Sequence, residues 1–501
     1  MFEPMNPAGV TLDHYREHGD GFGSASLDEV AELNKALSAG EIRGSASTGQ
    51  PGDGSALKVE SLESTLKNVT YRAQNAVLWG DIDKLPAYNT VEEYNRLESY
   101  GSDGGAFNAE GELPNEEDST YTRQAQLVKF MGNTRVITHP MTLVRTAHGD
   151  VMAREATNGT LWIVRAVDRA LFFGDSAVLP KEFDGYIKQQ RDAFATLEAW
   201  QASEQVIDLR GQPLEEGHLE KASEIITANF GFPSDLYLST GAASDLNHVF
   251  YPRERFNNPL PVNGQAGLNI TSFTTGAGII KMRPDVFLKP SAGRAYNAAA
   301  ISSKAPAKPT KDGVTPIAVV NNATNSRFVT GDAGNYFYAV SAINKNGESQ
   351  LEVLKTTATA VVANDGIDLK FTDGAGTYAT DGYRIYRSAK GAASYQTTYY
   401  PLFDVSTTQL AAGYDGGAAG LIRDLNRYLP STSKALFLQR DTEVVSFKQL
   451  APLMKMDLAI LAPAYRFMVL LYGTPQLYAP KKMVTFLNIG RRSVATVPYI
   501  T

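Results

Sequence analysis

The sequence predicts an α+β protein interrupted by a small all-β sandwich, and three observations carry that prediction. One long amphipathic helix spans about Val151–Phe173, with Leu161, Val164, Val167 and Leu171 on a single stripe and Arg165, Asp168 and Arg169 near the opposite side. A helix–strand–helix series follows between Leu219 and Tyr251, which implies an α/β layer. From Ile317 to about Val405 the pattern changes to short alternating segments punctuated by Gly, Asn and Asp. There NYFYAVSAINKNGESQ (335–350) sends Tyr336, Tyr338 and Val340 to one face of a strand and Phe337, Ala339 and Ser341 to the other. Asn344, Lys345, Asn346 and Gly347 then supply a tight turn.

Taken in order, Leu27–Leu37 has a helical rhythm and GSASTGQPGDGSA (44–56) reads as a flexible linker. Leu57–Asn68 reads as an amphipathic helix and Ala76–Tyr88 as extended chain. YGSDGGAFNAEGELPNEEDS (100–119) is rich in glycine and acid and short of large apolar residues, so it cannot bury itself. With the extended segments Tyr121–Met131 and Thr134–Thr142 it reads as a long, exposed acidic hairpin. Gly159 weakens the long helix without ending it. A shorter helix is expected over DAFATLEAWQ (192–201). In Leu219–Phe230 the residues Leu219, Ala222, Ile226 and Phe230 share a face, and Gly231 and Pro233 stop the helix. SDLYLST (234–240) is a buried strand whose end, Ser239 or Thr240, caps a helix through Asp245–Tyr251. Ile301–Pro316 is a linker by composition and AAGYDGGAAG (411–420) leads out of the sandwich, so the sandwich reads as an insertion.

Composition narrows the function. With 501 residues the chain can hold two to four cores, and 43% hydrophobic with 20% charged residues is the balance of an ordinary globular protein. A net charge of −7 argues against a dedicated nucleic-acid binder. The absence of cysteine rules out disulfides, zinc–thiolate sites, iron–sulfur clusters and a cysteine nucleophile. The opening MFEPMNPAGV has neither the basic nor the apolar region of a secretory signal. Leu458–Tyr472, broken by Pro463 and Arg466, falls short of the roughly 20 residues of a membrane span and reads as core.

Motifs for chemistry are scarce. His14, Tyr15, Arg16, Glu17 and His18 spell the inverted zinc-protease pattern, but in a polar tail with no apolar frame to hold a helix. His139, His148, His218 and His248 lack ligand spacing. There is no phosphate-binding glycine loop followed by Lys-Ser/Thr and no nucleophile elbow. No enzyme, cofactor or metal site is expected.

The ordered combination of parts resembles the major capsid proteins of tailed bacteriophages, the Hong Kong 97-type fold. LFFGDSA and EFDG (171–177, 182–185) look like that family's turn after its spine helix. HLEKASEIITANFGFPSDLYLST (218–240) is similar to its axial helix and strand, and MDLAILAPAYRFMVLLYGTPQLYAPKKMVTFLNIG (456–490) to its return strands. The resemblance covers most of 57–300 and 430–495. It implies a flexible N-terminal segment at 1–56, an N-terminal arm at 57–99, an extended acidic hairpin loop at 100–142 and a spine helix with peripheral domain at 143–215. An axial domain would occupy 216–302, an immunoglobulin- or fibronectin-like insertion 303–429, and the axial and peripheral return 430–501.

The resemblance also implies a structural subunit of an icosahedral head. It would assemble in the bacterial host cytoplasm into hexamers and pentamers around double-stranded DNA, without reading its sequence and without a membrane. Portal, scaffold and decoration proteins are the implied partners besides the chain itself. Contacts between subunits are expected from Glu110, Glu112, Glu116, Glu117 and Asp118 on the hairpin, with Arg191, Arg253, Arg255, Lys281 and Arg283 as their basic complement. One branch of the family locks its shell by Lys–Asn bonds from this hairpin. Residues 100–128 contain no lysine, so a non-covalent shell is expected. The chain is expected to stay intact, with 44–56 as the place where a maturation cut would fall. Competing readings are another phage structural or adhesion component that binds through the sandwich, an encapsulin-like shell, and a zinc hydrolase using His14 and His18.

Overall fold

The computed structural model describes residues 70–102, 104, 107–111, 113, 116–144, 146, 149–254, 270–460 and 462–492. The helices expected at 27–37 and 57–68, the 44–56 linker, His14–His18, Glu112 and Arg255 lie outside them. The chain forms two units, Met1–Asn68 with Val144–Asp150 and Val69–Leu143 with Val151–Thr501. In the first, the Thr146 hydroxyl donates to the Gly149 carbonyl. All that follows concerns the second.

The long helix runs from Val151 to Phe173, as its periodicity predicts. Its buried face is Gly159, Ile163, Val164, Val167, Asp168, Ala170, Leu171 and Phe172. Asp168 therefore belongs to the inner stripe, not the outer one. It stands four residues after Val164 and three before Leu171, which is the same face of an α-helix. Gly159 is where the helix touches the sheet beneath it. A Cβ there would lie 3.0 Å from Val469 Cγ2 and 3.1 Å from Asn133 Oδ1, and Asn133 Nδ2 donates to the Gly159 carbonyl at 3.0 Å.

That sheet has four strands in the order Lys84–Pro86, Val445–Asp457, Ala464–Leu477 and Lys129–Thr138. Its inner face joins the helix in a core that includes Ile163, Val167, Leu171, Phe447, Phe467, Val469 and Leu471. Two expectations change here. Residues 134–138 pair with Ala464–Met468 rather than completing the hairpin, and His139–Leu143 is helical. Between 76 and 88 the chain is not uniformly extended. Val77–Asp81 is a helix that buries Leu78, and only Lys84–Pro86 is strand. Likewise the 192–201 helix resolves into Tyr186–Asp192 and Leu197–Ala202, the second capped by the Thr196 hydroxyl.

A six-stranded mixed sheet follows the order Val206–Asp208, Met483–Ile489, Ser433–Leu438, Asp235–Ser239, Gly278–Asp285 and Ser272–Thr275. Every residue of Asp235–Ser239 is buried, which explains its continuous apolar middle, Leu236–Leu238. Glu216–Ala228 packs Leu219, Ala222 and Ile226 against this sheet. Phe230 leaves that face. It adopts a left-handed φ of 58° and is 88% exposed, because the helix has already ended. The next helix starts at Thr240, where the Ser239 hydroxyl accepts from the Ala242 amide.

Between residues 294 and 424 the regular elements are strands, apart from the short helix Thr407–Ala412 and one 3-10 turn at Thr330–Asp332. One sheet holds Gly347–Glu348, Tyr338–Asn344, Gly382–Ser388, Thr398–Ser406 and Arg294–Ala295, with Glu352–Val353 also paired to Tyr338–Asn344. Another holds Ile317–Asn321, Asp365–Leu369 and Ile422–Asp424. Tyr336, Tyr338, Val340 and Ala342 enter one core with Ile367, Leu369, Ile385 and Ile422. Phe337 and Ala339 enter a second with Leu351, Tyr386 and Tyr399. The alternation read in 335–350 thus separates two cores. Its turn closes on Gly347 at φ 144°, with Asn346 N–H donating to Asn344 Oδ1 at 2.8 Å.

Candidate assembly surfaces

The chain before and after the 100–119 segment pairs with itself, Val91–Ser99 antiparallel to Thr120–Leu127. The upstream arm of the hairpin is therefore Val91–Ser99, a stretch the sequence reading assigned to the N-terminal arm. Strand alternation divides this ribbon into two faces. Tyr94 lies on the inner one. Its hydroxyl donates to the Leu477 carbonyl at 3.1 Å and its ring meets Tyr478 edge-on at 4.8 Å. The outer face carries two apolar cross-strand pairs, Val91 with Leu127 and Leu97 with Tyr121, all exposed. Between them Glu93 and Arg123 form an ion pair at 2.7 Å. Four large apolar side chains on a solvent-facing ribbon, arranged around one charge pair, are the composition of a contact surface.

The acidic tip is placed as its composition predicts. Glu110, Glu116, Glu117 and Asp118 are exposed. Glu117 accepts from both the Ser102 hydroxyl and the Ser102 amide, at 2.6 and 2.8 Å, and these bonds hold its carboxyl below the usual range. Glu117 is thus committed to closing the tip, which leaves the other three to meet solvent.

The basic candidates separate. Arg191 is paired within the chain to Asp175 at 2.8 Å. Arg283 lies between Asp235 at 3.3 Å and Asp81 at 3.5 Å. Both guanidiniums are held by buried or half-buried carboxylates of the same subunit, so their first role is to hold the fold. Lys281 is exposed on the Gly278–Asp285 strand. Arg253 lies in the helix Thr240–Glu254 and Arg255 beyond the described residues.

Sequence reasoning missed a charged junction between the mixed sheet and the β-rich segment. Arg210 reaches Asp332 at 3.1 Å while Arg327 reaches back to Asp208 at 3.1 Å. Asn426 Nδ2 donates to Asp332 at 2.8 Å and Asn488 Nδ2 to Asp208 at 2.7 Å. Arg210, Asn426 and Asn488 all have left-handed backbones, with φ of 51°, 58° and 54°. For non-glycine residues that conformation costs on the order of 1 kcal/mol each and persists only where the surroundings impose it. The Asn-Arg and Leu-Asn-Ile-Gly contexts gave one legible signal, since asparagine tolerates left-handed turns.

Among the described residues no group of three or more His, Asp or Glu side chains is placed to hold a metal, and no helix is long and apolar enough to cross a membrane. A cleft of about 190 Å³ beside Lys188, Arg191 and Tyr414 offers no spare charge of its own. Lys188 is paired to Asp192 and Arg191 to Asp175.

No protein-family model matches the chain. It is similar to the major capsid proteins of Staphylococcus phage S25-3 and Staphylococcus phage K, 24% identical to each over 453 residues, covering 87% of this chain and 91% of each relative. Among solved structures, the empty gene-transfer-agent (GTA) capsid aligns over 88% of this chain and 99% of its own at 8% identity and a TM-score of 0.43. The SrpI encapsulin of Synechococcus elongatus aligns over 87% and 94% at 8% identity and a TM-score of 0.41. On this sequence similarity, which extends over 87% of the chain, its curated homologues are phage major capsid proteins.

Proposed function

We propose that this chain is the structural subunit of an icosahedral phage head. It builds hexamers and pentamers of itself into a shell of the Hong Kong 97 type around the DNA genome. The observation that carries the reading is the kinship with major capsid proteins over nearly the whole length of both partners. The exposed hairpin supports it. A two-stranded ribbon with an apolar outer face and an acidic tip is stable alone only marginally, and a neighbouring copy would supply the missing cover. Many such weak contacts, repeated around a closed shell, give large avidity.

In this reading Glu110, Glu116 and Asp118 meet a cation of the neighbouring copy, with Lys281 the described candidate. The shell is non-covalent because the ribbon has no amine to crosslink. The two cores of the 294–424 region are those of an immunoglobulin-like insertion displayed by the subunit. Portal, scaffold and decoration proteins are its further partners, and the virion its destination.

Negative-stain microscopy of the full-length chain tests the reading, with shells or hexameric tubes expected. A subunit that stays monomeric across protein concentration, ionic strength and crowding agents would overturn it. Denaturing electrophoresis of particles should show monomer bands alone.

A further inference from the structure

Two carboxylates lie buried behind the long helix. Asp168, on the helix, and Asp285, at the end of the Gly278–Asp285 strand, are both 0% exposed. Asp168 Oδ1 accepts from the Trp79 amide at 2.7 Å and Asp285 Oδ1 from the Phe287 amide at 2.7 Å. The other oxygen of each, Oδ2, is buried and has no hydrogen-bond donor. Each carboxyl is the other's acidic neighbour, within reach of a shared hydrogen bond. Two like charges in contact in a low-dielectric site cannot both be ionised, and a hydrogen bond between two carboxyls requires a proton on one of them.

The surroundings offer no alternative neutraliser. From the helix Val77–Asp81 the charged group acting on Asp168 is Asp81, itself an anion, bonded to Tyr237 and paired with Arg283. Arg283 is occupied by Asp81 and Asp235. Arg165 and Arg169, on the long helix itself, are exposed. Lys434, on the Ser433–Leu438 strand, lies over the rings of Phe173 and Tyr428, and its charged neighbours are Arg191 and Asp404.

The pair also gathers the start of a helix. The amide of Trp79 is bound by Asp168, and those of Val77 and Leu78 face Asp285. All three are first-turn amides without intrahelical partners. We propose that Asp168 and Asp285 share one proton, and that this proton is a clasp fastening the helix Val77–Asp81 to the long helix, released when alkali removes it. Burial first, and Asp285 second, push Asp168 up to about 8, in the direction the geometry requires. This inference is independent of shell assembly.

The full-length subunit tests it. Thermal midpoints and hydrogen exchange are measured from pH 5.5 to 9.5 for the native chain and for D168N and D285N. An asparagine at either position donates an N–H to the remaining carboxylate without ionising, so it mimics the closed clasp. In the native chain the amides of Val77, Leu78 and Trp79 should open on the order of tenfold more readily at pH 9 than at pH 7, relative to those of Leu236–Leu238, since each pH unit past ionisation is worth about that factor. In D168N or D285N the ratio should stay flat. Native and variant curves that run parallel would overturn the proposal. So would a rise of the native midpoint on adding calcium or magnesium that D168N lacks, because a cation would then be the bridging element. Failure of both variants to fold at pH 5.5 would also overturn it, since the proton they imitate is present there.

Discussion

Arg210 and Asp332 stand 122 positions apart in sequence and meet at 3.1 Å, while Asp208 and Arg327 make the reciprocal pair at the same distance. The mixed sheet and the β-rich segment thus exchange one arginine each. Asp332 is nearly buried and also accepts from Asn426, so removing Arg210 leaves a carboxylate short of its strongest partner. Asp332→Ala and Arg210→Ala should each cost about 2–4 kcal/mol in urea unfolding. Their double-mutant cycle should show a coupling of about 1–3 kcal/mol. A coupling near zero would mean that this pair does not help to hold the two regions together.

The turn after the long helix depends on two glycines for space. A Cβ on Gly174 would sit 2.4 Å from the Phe183 carbonyl, and one on Gly185 2.5 Å from the Ala170 carbonyl. The Gly185 amide closes the turn on the Gly174 carbonyl at 2.9 Å. Gly185→Ala should therefore destabilise by at least about 2 kcal/mol, the overpacking cost of a contact with backbone that cannot yield. Gly217→Ala is the control. It lies in the first turn of Glu216–Ala228 with nothing within 4 Å of its Cβ position, and should be neutral or stabilising by up to about 1 kcal/mol.

On the hairpin, stability and assembly should separate. Leu97→Ser with Tyr121→Ser removes one exposed cross-strand pair and leaves the inner contacts of Tyr94 intact. The unfolding midpoint should move by no more than about 0.5–1 kcal/mol, as expected for exposed positions. The yield of shells by light scattering should fall sharply. Equal yields would remove the outer face from the contact.

Glu182 supplies a pH signature in the neutral range. Burial raises its carboxyl to about 7, against the lowering effect of its backbone hydrogen bond and of Arg169. The folded chain therefore holds a proton there that the unfolded chain releases near the ordinary carboxyl value of 4.5. Its contribution to stability is present in full below 4.5 and is lost as pH rises through about 7. Glu182→Gln should flatten that limb of a stability profile, and a profile unchanged by the substitution would show that Glu182 is ionised in both states.

The legible parts of this fold are those in which one period dominates. The stripe of Leu161, Val164, Val167 and Leu171 gave the long helix to the residue, and the apolar run in Asp235–Ser239 gave the central strand. Illegible parts are those decided by a distant partner. The segment 134–138 has enough alternation to join either neighbour, and the strand Ala464–Leu477 settles the choice. Arg191 and Arg283 read as free charges because nothing local reveals Asp175 or Asp235 beside them. Asp168 stands four residues from Val164, but its charge points to solvent, and nothing local reveals the Trp79 amide that meets it inside. As for the assembly surface, composition marked the acidic tip. The outer face of the ribbon requires the register of Val91–Ser99 with Thr120–Leu127, which no local pattern encodes.

The strand Met483–Ile489, all seven residues buried, lies between Val206–Asp208 and Ser433–Leu438 in the mixed sheet. During synthesis the sheet therefore has a vacant slot until Met483–Ile489 is made, and both flanking strands wait with open edges. A fragment that ends before Met483 lacks the piece that joins them. Until that segment is in place the unpaired edges are open to other chains, so the hazard of mispairing lasts until the strand Met483–Ile489 is made.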